Sequence, residues 1–185
     1  MRPAGDTVSA FFAAVLAKQW DDALLLLDPV AVAAYKDGYL THTYGNLNLG
    51  PDSTRHPDAP LPTPLAELAA RPVDPAFGVT TVAGLFALPP ATFLKRMMLI
   101  CCDDDEEPGR IPWGGRHVEI LGERLVLEGI AEVRYAYMGQ RTDIHDPDTI
   151  RRWQHPWRIR LRLDDGHWRM ALPESWLPSG GALAP

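Results

Sequence analysis

The segment His155–Leu172 reads HPWRIRLRLDDGHWRMAL. Trp157, Ile159, Leu161 and Leu163 alternate with Arg158, Arg160 and Arg162, the period of two that marks a half-buried strand. Asp165-Gly166 supplies the residues of a type I′ turn, in which both central positions sit at positive φ. With those two as the loop, Asp164 faces His167, Leu163 faces Trp168, Leu161 faces Met170 and Ile159 faces Leu172. Every apolar side chain then meets another on one face, and the arginines collect on the opposite face. The segment is therefore expected to be a hairpin covering one side of a core.

Upstream, the same alternation predicts two more strands. Arg116–Leu121 is the first, with Gly122-Glu123 as its turn. In a second, longer strand Leu125, Leu127, Ala131, Val133, Tyr135 and Tyr137 alternate with Arg124, Glu128, Glu132 and Arg134, and Gly129 marks a bulge or bend. Earlier still the period changes to that of helices. Asp6 or Thr7 is placed to cap a helix through about Lys18, with Val8, Phe11, Phe12, Val15 and Leu16 as its stripe. Asp21 is placed to cap a short helix over Asp22–Leu27, which Asp28-Pro29 ends. A third helix is predicted over Val30–Tyr39. Further helices are expected at Thr63–Ala70, Thr80–Ala87 and Ala91–Cys102, the last with Phe93, Leu94, Met97, Met98 and Cys101 on one face. Gly45–Pro62 and Gln140–Gln154 read as loops. The fold class is α+β, with N-terminal helices packed on an antiparallel sheet in a single domain over residues 1–176 and a small-residue tail at 177–185.

Composition narrows the function classes. The chain has 185 residues, 46% of them hydrophobic, enough for one packed core. A net charge of −6 argues against nucleic acid as a partner. The charge is uneven: residues 1–109 carry 7 basic and 14 acidic side chains, and residues 110–172 carry 11 and 9, so the basic excess lies in the sheet. The two cysteines, Cys101 and Cys102, are adjacent and offer no disulfide framework, which fits a reducing, cytoplasmic setting. Arg2 and the apolar run Val8–Ala17 loosely resemble an export leader, but Asp6 and the helical spacing fit an amphipathic helix better. No apolar run approaches the ~20 residues of a membrane span.

The stretches VSAFFAAVLAKQWDDALLLLDP (8–29), GIAEVRYAY (129–137) and RIRLRLDDGHWRM (158–170) together resemble the nuclear transport factor 2-like superfamily, a helix-and-curved-sheet cone. The resemblance implies a strongly curved antiparallel sheet and an interior cavity. The superfamily holds dehydratases, ketosteroid isomerases, epoxide hydrolases, polyketide cyclases and non-catalytic binding or assembly modules. Active members use a carboxylate or histidine inside the cone. The inward face of GIAEVRYAY offers Val133, Tyr135 and Tyr137 and no acid, so no catalytic residue carries over.

The candidate ligand-binding residues are Tyr35, Tyr39, His42, Tyr135, Tyr137, Trp157, Trp168 and Met170. Converging tyrosines would donate to a ligand oxygen, as an oxyanion hole does, with His42 as a base at the rim. The alternative is that the tyrosines are core residues. An aromatic set with few hydroxyls suits a weakly polar ring compound, with Gly45–Pro62 as a lid. A lyase, isomerase or cyclase in the same cavity, or an assembly module whose cavity is filled by its own side chains, are the competing functions. Asp143, His145, Asp146 and Asp148 lack metal-ligand spacing, and Asp103–Glu107 opposes a reactive thiol at Cys101-Cys102. No phosphate-binding loop, dinucleotide fingerprint or nucleophile elbow occurs, so neither metal nor cofactor is expected. Arg162 and Arg169 fall opposite each other, which is repulsive unless Glu119, Glu128 or Glu132 intervenes. A homodimer through the outer sheet face is expected, with the arginine row of one subunit against Glu128 and Glu132 of the other.

Overall fold

The computed structural model describes residues 3–45, 63–102, 118–137 and 156–172. Its order is α1 (Ala4–Leu16), α2 (Trp20–Leu25), α3 (Pro29–Tyr44), α4 (Thr63–Ala69), a 3-10 turn (Pro75–Phe77), α5 (Val82–Ala87), α6 (Pro90–Cys102), β1 (Val118–Leu127), β2 (Ile130–Tyr137), β3 (Trp157–Asp164) and β4 (His167–Met170). The fold is α+β, with an open four-stranded antiparallel sheet in the order β1-β2-β3-β4. The segment 46–62 expected to act as a lid, the acidic run 103–107, the expected loop 140–154 and the tail 177–185 lie outside the described residues.

The β3–β4 hairpin has the register its sequence dictates. Leu161 faces Met170, Leu163 faces Trp168 and Asp164 faces His167, and Asp165 and Gly166 turn at φ 48° and 76°. The ladder stops at Met170, and Ala171 N–H donates to Arg160 O at 2.9 Å. The edge of β4 is closed by the α2–α3 connection. Asp28 N–H donates to Met170 O and Met170 N–H to Leu26 O, both at 2.8 Å, so Leu27 lies beside β4 as a one-residue parallel bridge.

The upstream strands correct the sequence expectation. The turn lies at Glu128-Gly129, not at Gly122-Glu123, and residues 118–137 form a hairpin rather than a short strand followed by a long one. Two glycines competed for the turn. Gly129 takes it at φ 72°, whereas Gly122, at φ 154°, sits in a bulge where the register shifts between Ile120 and Gly122. A second shift falls between Leu125 and Leu127. Leu125 and Leu127, assigned to the core by alternation, are exposed.

One face of the sheet is covered by helices. Val8, Phe11, Phe12 and Val15 of α1 pack on Ala131, Val133, Tyr135, Ile159, Leu161 and Met170 in one buried cluster, joined by Phe93, Leu94 and Met98 of α6. Helix α1 starts at Ala4, and neither Asp6 nor Thr7 caps it. Gly5 N–H donates instead to Glu123 Oε2 of β1 at 2.7 Å, a carboxylate at the positive end of the helix dipole. Asp21 lies inside α2 and holds Lys95 of α6 at 2.6 Å. Helix α3 continues five residues past its expected end at Tyr39, with Gly45 as its C-cap.

Candidate functional site

Six of the eight candidate residues, Tyr35, Tyr39, Tyr135, Trp157, Trp168 and Met170, belong to or pack against one hydrophobic cluster. Tyr135, Tyr35, Met170 and Trp168 are buried in the core. Tyr135 lies on Phe12, with ring centroids 5.3 Å apart. Tyr35 stacks with Tyr39 at 6.5 Å, Tyr39 meets Phe93 at 5.5 Å, and Phe93 stacks on Phe77 at 5.7 Å. These rings run as a packed chain between α3, α6 and the Pro75–Phe77 turn. Trp157 is half-buried opposite Tyr135, and His42 is exposed in the last turn of α3. The side chain of Tyr137 lies outside the described residues, as do those of Cys101 and Cys102.

Lys36 is a buried residue that sequence reasoning missed. On an amphipathic helix a lysine reads as solvent-facing, yet Lys36 is only 5% exposed. Its Nζ donates to Phe86 O and to Leu88 O, each at 2.6 Å. Those carbonyls belong to the C-terminal end of α5, where a helix leaves acceptors unmet and its dipole favours a cation. Burial pushes the Lys36 ammonium below the usual lysine value, and Asp37 pulls the other way. Among the described residues Lys36 is the buried charged side chain, and no carboxylate or histidine is buried. Groups for acid–base chemistry in the described interior are therefore limited to Lys36 and tyrosine hydroxyls.

On the outer face Arg162 lies opposite Arg169 as expected, but the acid that intervenes comes from a helix. Asp28 accepts from Arg162 Nε at 2.9 Å and Nη2 at 3.0 Å, a bidentate pair. The same carboxylate caps α3 by accepting from Val30 N–H at 2.9 Å. Glu132 is engaged within its own sheet by Arg124 at 2.9 Å.

The rim formed by β1 is a described surface feature of apolar character. Of the six exposed large apolar side chains among the described residues, four lie on this strand: Leu121, Leu125, Val126 and Leu127, at 42%, 68%, 43% and 69% exposed. Beside Leu125 a cleft of about 370 Å³ is lined by Pro3, Ala4, Glu123, Arg124, Leu125, Ala131 and Trp168. Pro3 and Ala4 bring the start of α1 to its wall. Its floor is apolar, and Glu123 and Arg124 supply its charge.

No group of histidine, cysteine and acidic side chains able to hold a metal occurs among the described residues, and no described helix is long and apolar enough to cross a membrane. Comparison with protein-family models, curated proteins and solved structures gave no match for this chain.

Proposed function

We propose that this chain is a non-catalytic assembly module on a cone-like frame of the nuclear transport factor 2-like kind, and that it forms a homodimer through the β1 rim. The four exposed apolar side chains along the β1 rim carry this proposal, since clustered exposed apolar side chains mark a contact site. The aromatic chain packed within the described core supports an interior occupied by the protein's own side chains. The two register shifts in β1 disfavour simple strand addition, because bulges blunt an edge. Side-chain contact suits the rim better. A two-fold contact sets Leu125 of each subunit into the cleft beside Trp168 of the other, with Leu127, opposite Ile130 on the other face, at the edge of the contact. The outer sheet face is less suitable, because two such faces would bring arginine rows together.

Burying one leucine side chain stabilises by about 1.5–3 kcal/mol, so the two leucines of each subunit supply about 6–12 kcal/mol in the dimer. Association costs about 4–15 kcal/mol in lost freedom, so the balance is fine and one charged pair decides it. Leu125→Lys with Leu127→Lys is expected to convert a dimer into a monomer of 20.5 kDa by light scattering at micromolar concentration. A wild-type chain that is already monomeric, or a variant that remains dimeric, overturns the proposal.

A second function is favoured by the cleft itself, whose volume of about 370 Å³ falls within the ~300–1,000 Å³ range of ligand pockets. A weakly polar ring compound would lie against Trp168 and Leu125 there. In that case 2-naphthol raises the melting temperature of the wild-type chain, and Leu125→Lys reduces the rise. A melting temperature unmoved by the compound removes this possibility.

A further inference from the structure

We infer that the outer face of β2, β3 and β4 is a docking surface for an extended acidic polypeptide. Its arginines are arranged by register. Arg134 lies directly opposite Arg158, Arg160 lies opposite Glu132, and Arg162 lies opposite Arg169. The other side of the same strands carries Val133, Tyr135, Ile159 and Leu161, which are buried. Arg134, Arg158 and Arg160 are exposed, and Arg169 is half-buried.

Arg162 is neutralised within the chain by Asp28, and Glu132 is engaged by Arg124 of the neighbouring β1. Among the described residues no carboxylate is paired with Arg134, Arg158, Arg160 or Arg169. The other described acids on the face are Glu119, opposite Ala136, and Asp164, at the turn. Like charges directly opposite each other destabilise a sheet. The Arg134–Arg158 pair therefore keeps a repulsion that an anion lying between the two guanidiniums would relieve.

Geometry selects the class of anion. Along β3 the arginines recur every second residue, about 6.8 Å apart at the rise of a strand. Alternate carboxylates of an extended peptide have the same spacing, and guanidinium binds carboxylate in a two-pronged fork. Single-stranded nucleic acid is also anionic, but its binding surfaces add aromatic side chains on which bases stack. The described outward residues of β2, β3 and β4 include His167, opposite Asp164, but no Phe, Tyr or Trp, and the whole chain carries −6. A protein segment rich in Asp and Glu fits better. This surface shares the outward face with Leu127, which lies opposite Ile130, but its arginines lie on β2, β3 and β4 and it does not depend on the dimer.

The test uses the full chain and a fluorescein-labelled peptide of alternating glutamate and serine, followed by anisotropy at about 20 mM salt, where screening is weak. Binding is expected, with affinity falling as salt rises. Arg134→Glu with Arg158→Glu should weaken it at least about tenfold, with the circular dichroism spectrum unchanged. Arg71→Glu, at an exposed arginine off the sheet, should leave it intact. A peptide with its glutamates in one consecutive block should bind less well than the alternating one. Absence of binding at low salt, equal loss in Arg71→Glu, or tighter binding of oligothymidylate each overturns the inference.

Discussion

Lys36→Ala should lower the stability of the fold by about 3 kcal/mol, roughly one charged hydrogen bond and a buried acceptor left unmet. In a chain of this length that corresponds to a drop of about 6–12 °C in melting temperature. The ammonium is the shared partner of Phe86 O and Leu88 O, and no other side chain takes its place at the end of α5. Lys36→Met restores most of the buried volume but not the donors. If the hydrogen bonds dominate, methionine recovers little of the loss. If packing dominates, it recovers most of it. The pH dependence has a definite sign. Burial lowers the folded-state pKa of Lys36 below the unfolded value of about 10.4. Between the two values the unfolded chain holds a proton that the folded chain has shed, so this group makes stability rise with pH across that window. Urea titrations between neutral pH and about pH 10 should show the rise in the wild-type chain and its loss in Lys36→Met.

Asp28→Ala should have the second largest effect, because one carboxylate performs two tasks. It caps α3 through Val30 N–H, which is worth about 1 kcal/mol, and it neutralises Arg162 where Arg169 lies opposite. Its side chain is 14% exposed and that of Arg162 is 42% exposed, so solvent screens the ion pair in part. Asp28→Asn separates the tasks, since asparagine caps a helix as well as aspartate does but carries no charge. The Arg162 guanidinium hydrogen-bonded to Asp28 holds its carboxyl below the usual aspartate range, against the opposing effect of burial and with help from Val30 N–H. That contribution is fully present above the unfolded value of about 3.9 and is lost as pH falls through the lower folded value. Acid titration of stability should therefore show a limb below about pH 4 that Asp28→Asn lacks.

The features legible in the sequence were those set by near neighbours. The β3–β4 hairpin was readable because alternation and an Asp-Gly turn agree on one register. Asp28 was legible as a boundary before Pro29 but not as the partner of Arg162, which is 134 residues away. The cap of α1 was hidden for the same reason, since Glu123 reaches Gly5 from a strand 118 residues on. The β1–β2 hairpin was misread because Gly122 and Gly129 both fit a turn, and only the pairing with β3 decides between them. Leu125 has the alternation of a core residue and lies opposite buried Ala131, yet it is exposed, because alternation says nothing about how far a helix covers a strand. Lys36 has no local signal, because its partners are the backbone of another helix.

The rim contact is tested most directly by amide hydrogen exchange of the wild-type chain at two concentrations, one well below and one well above its self-association range. Exchange in peptides covering Val118–Ile130 should slow at the higher concentration, together with those covering Pro3–Gly5 and Trp168 beside the cleft. Exchange that is unchanged by concentration would contradict self-association, and slowing confined to the outward residues of β2, β3 and β4 would place the contact on the outer sheet face instead.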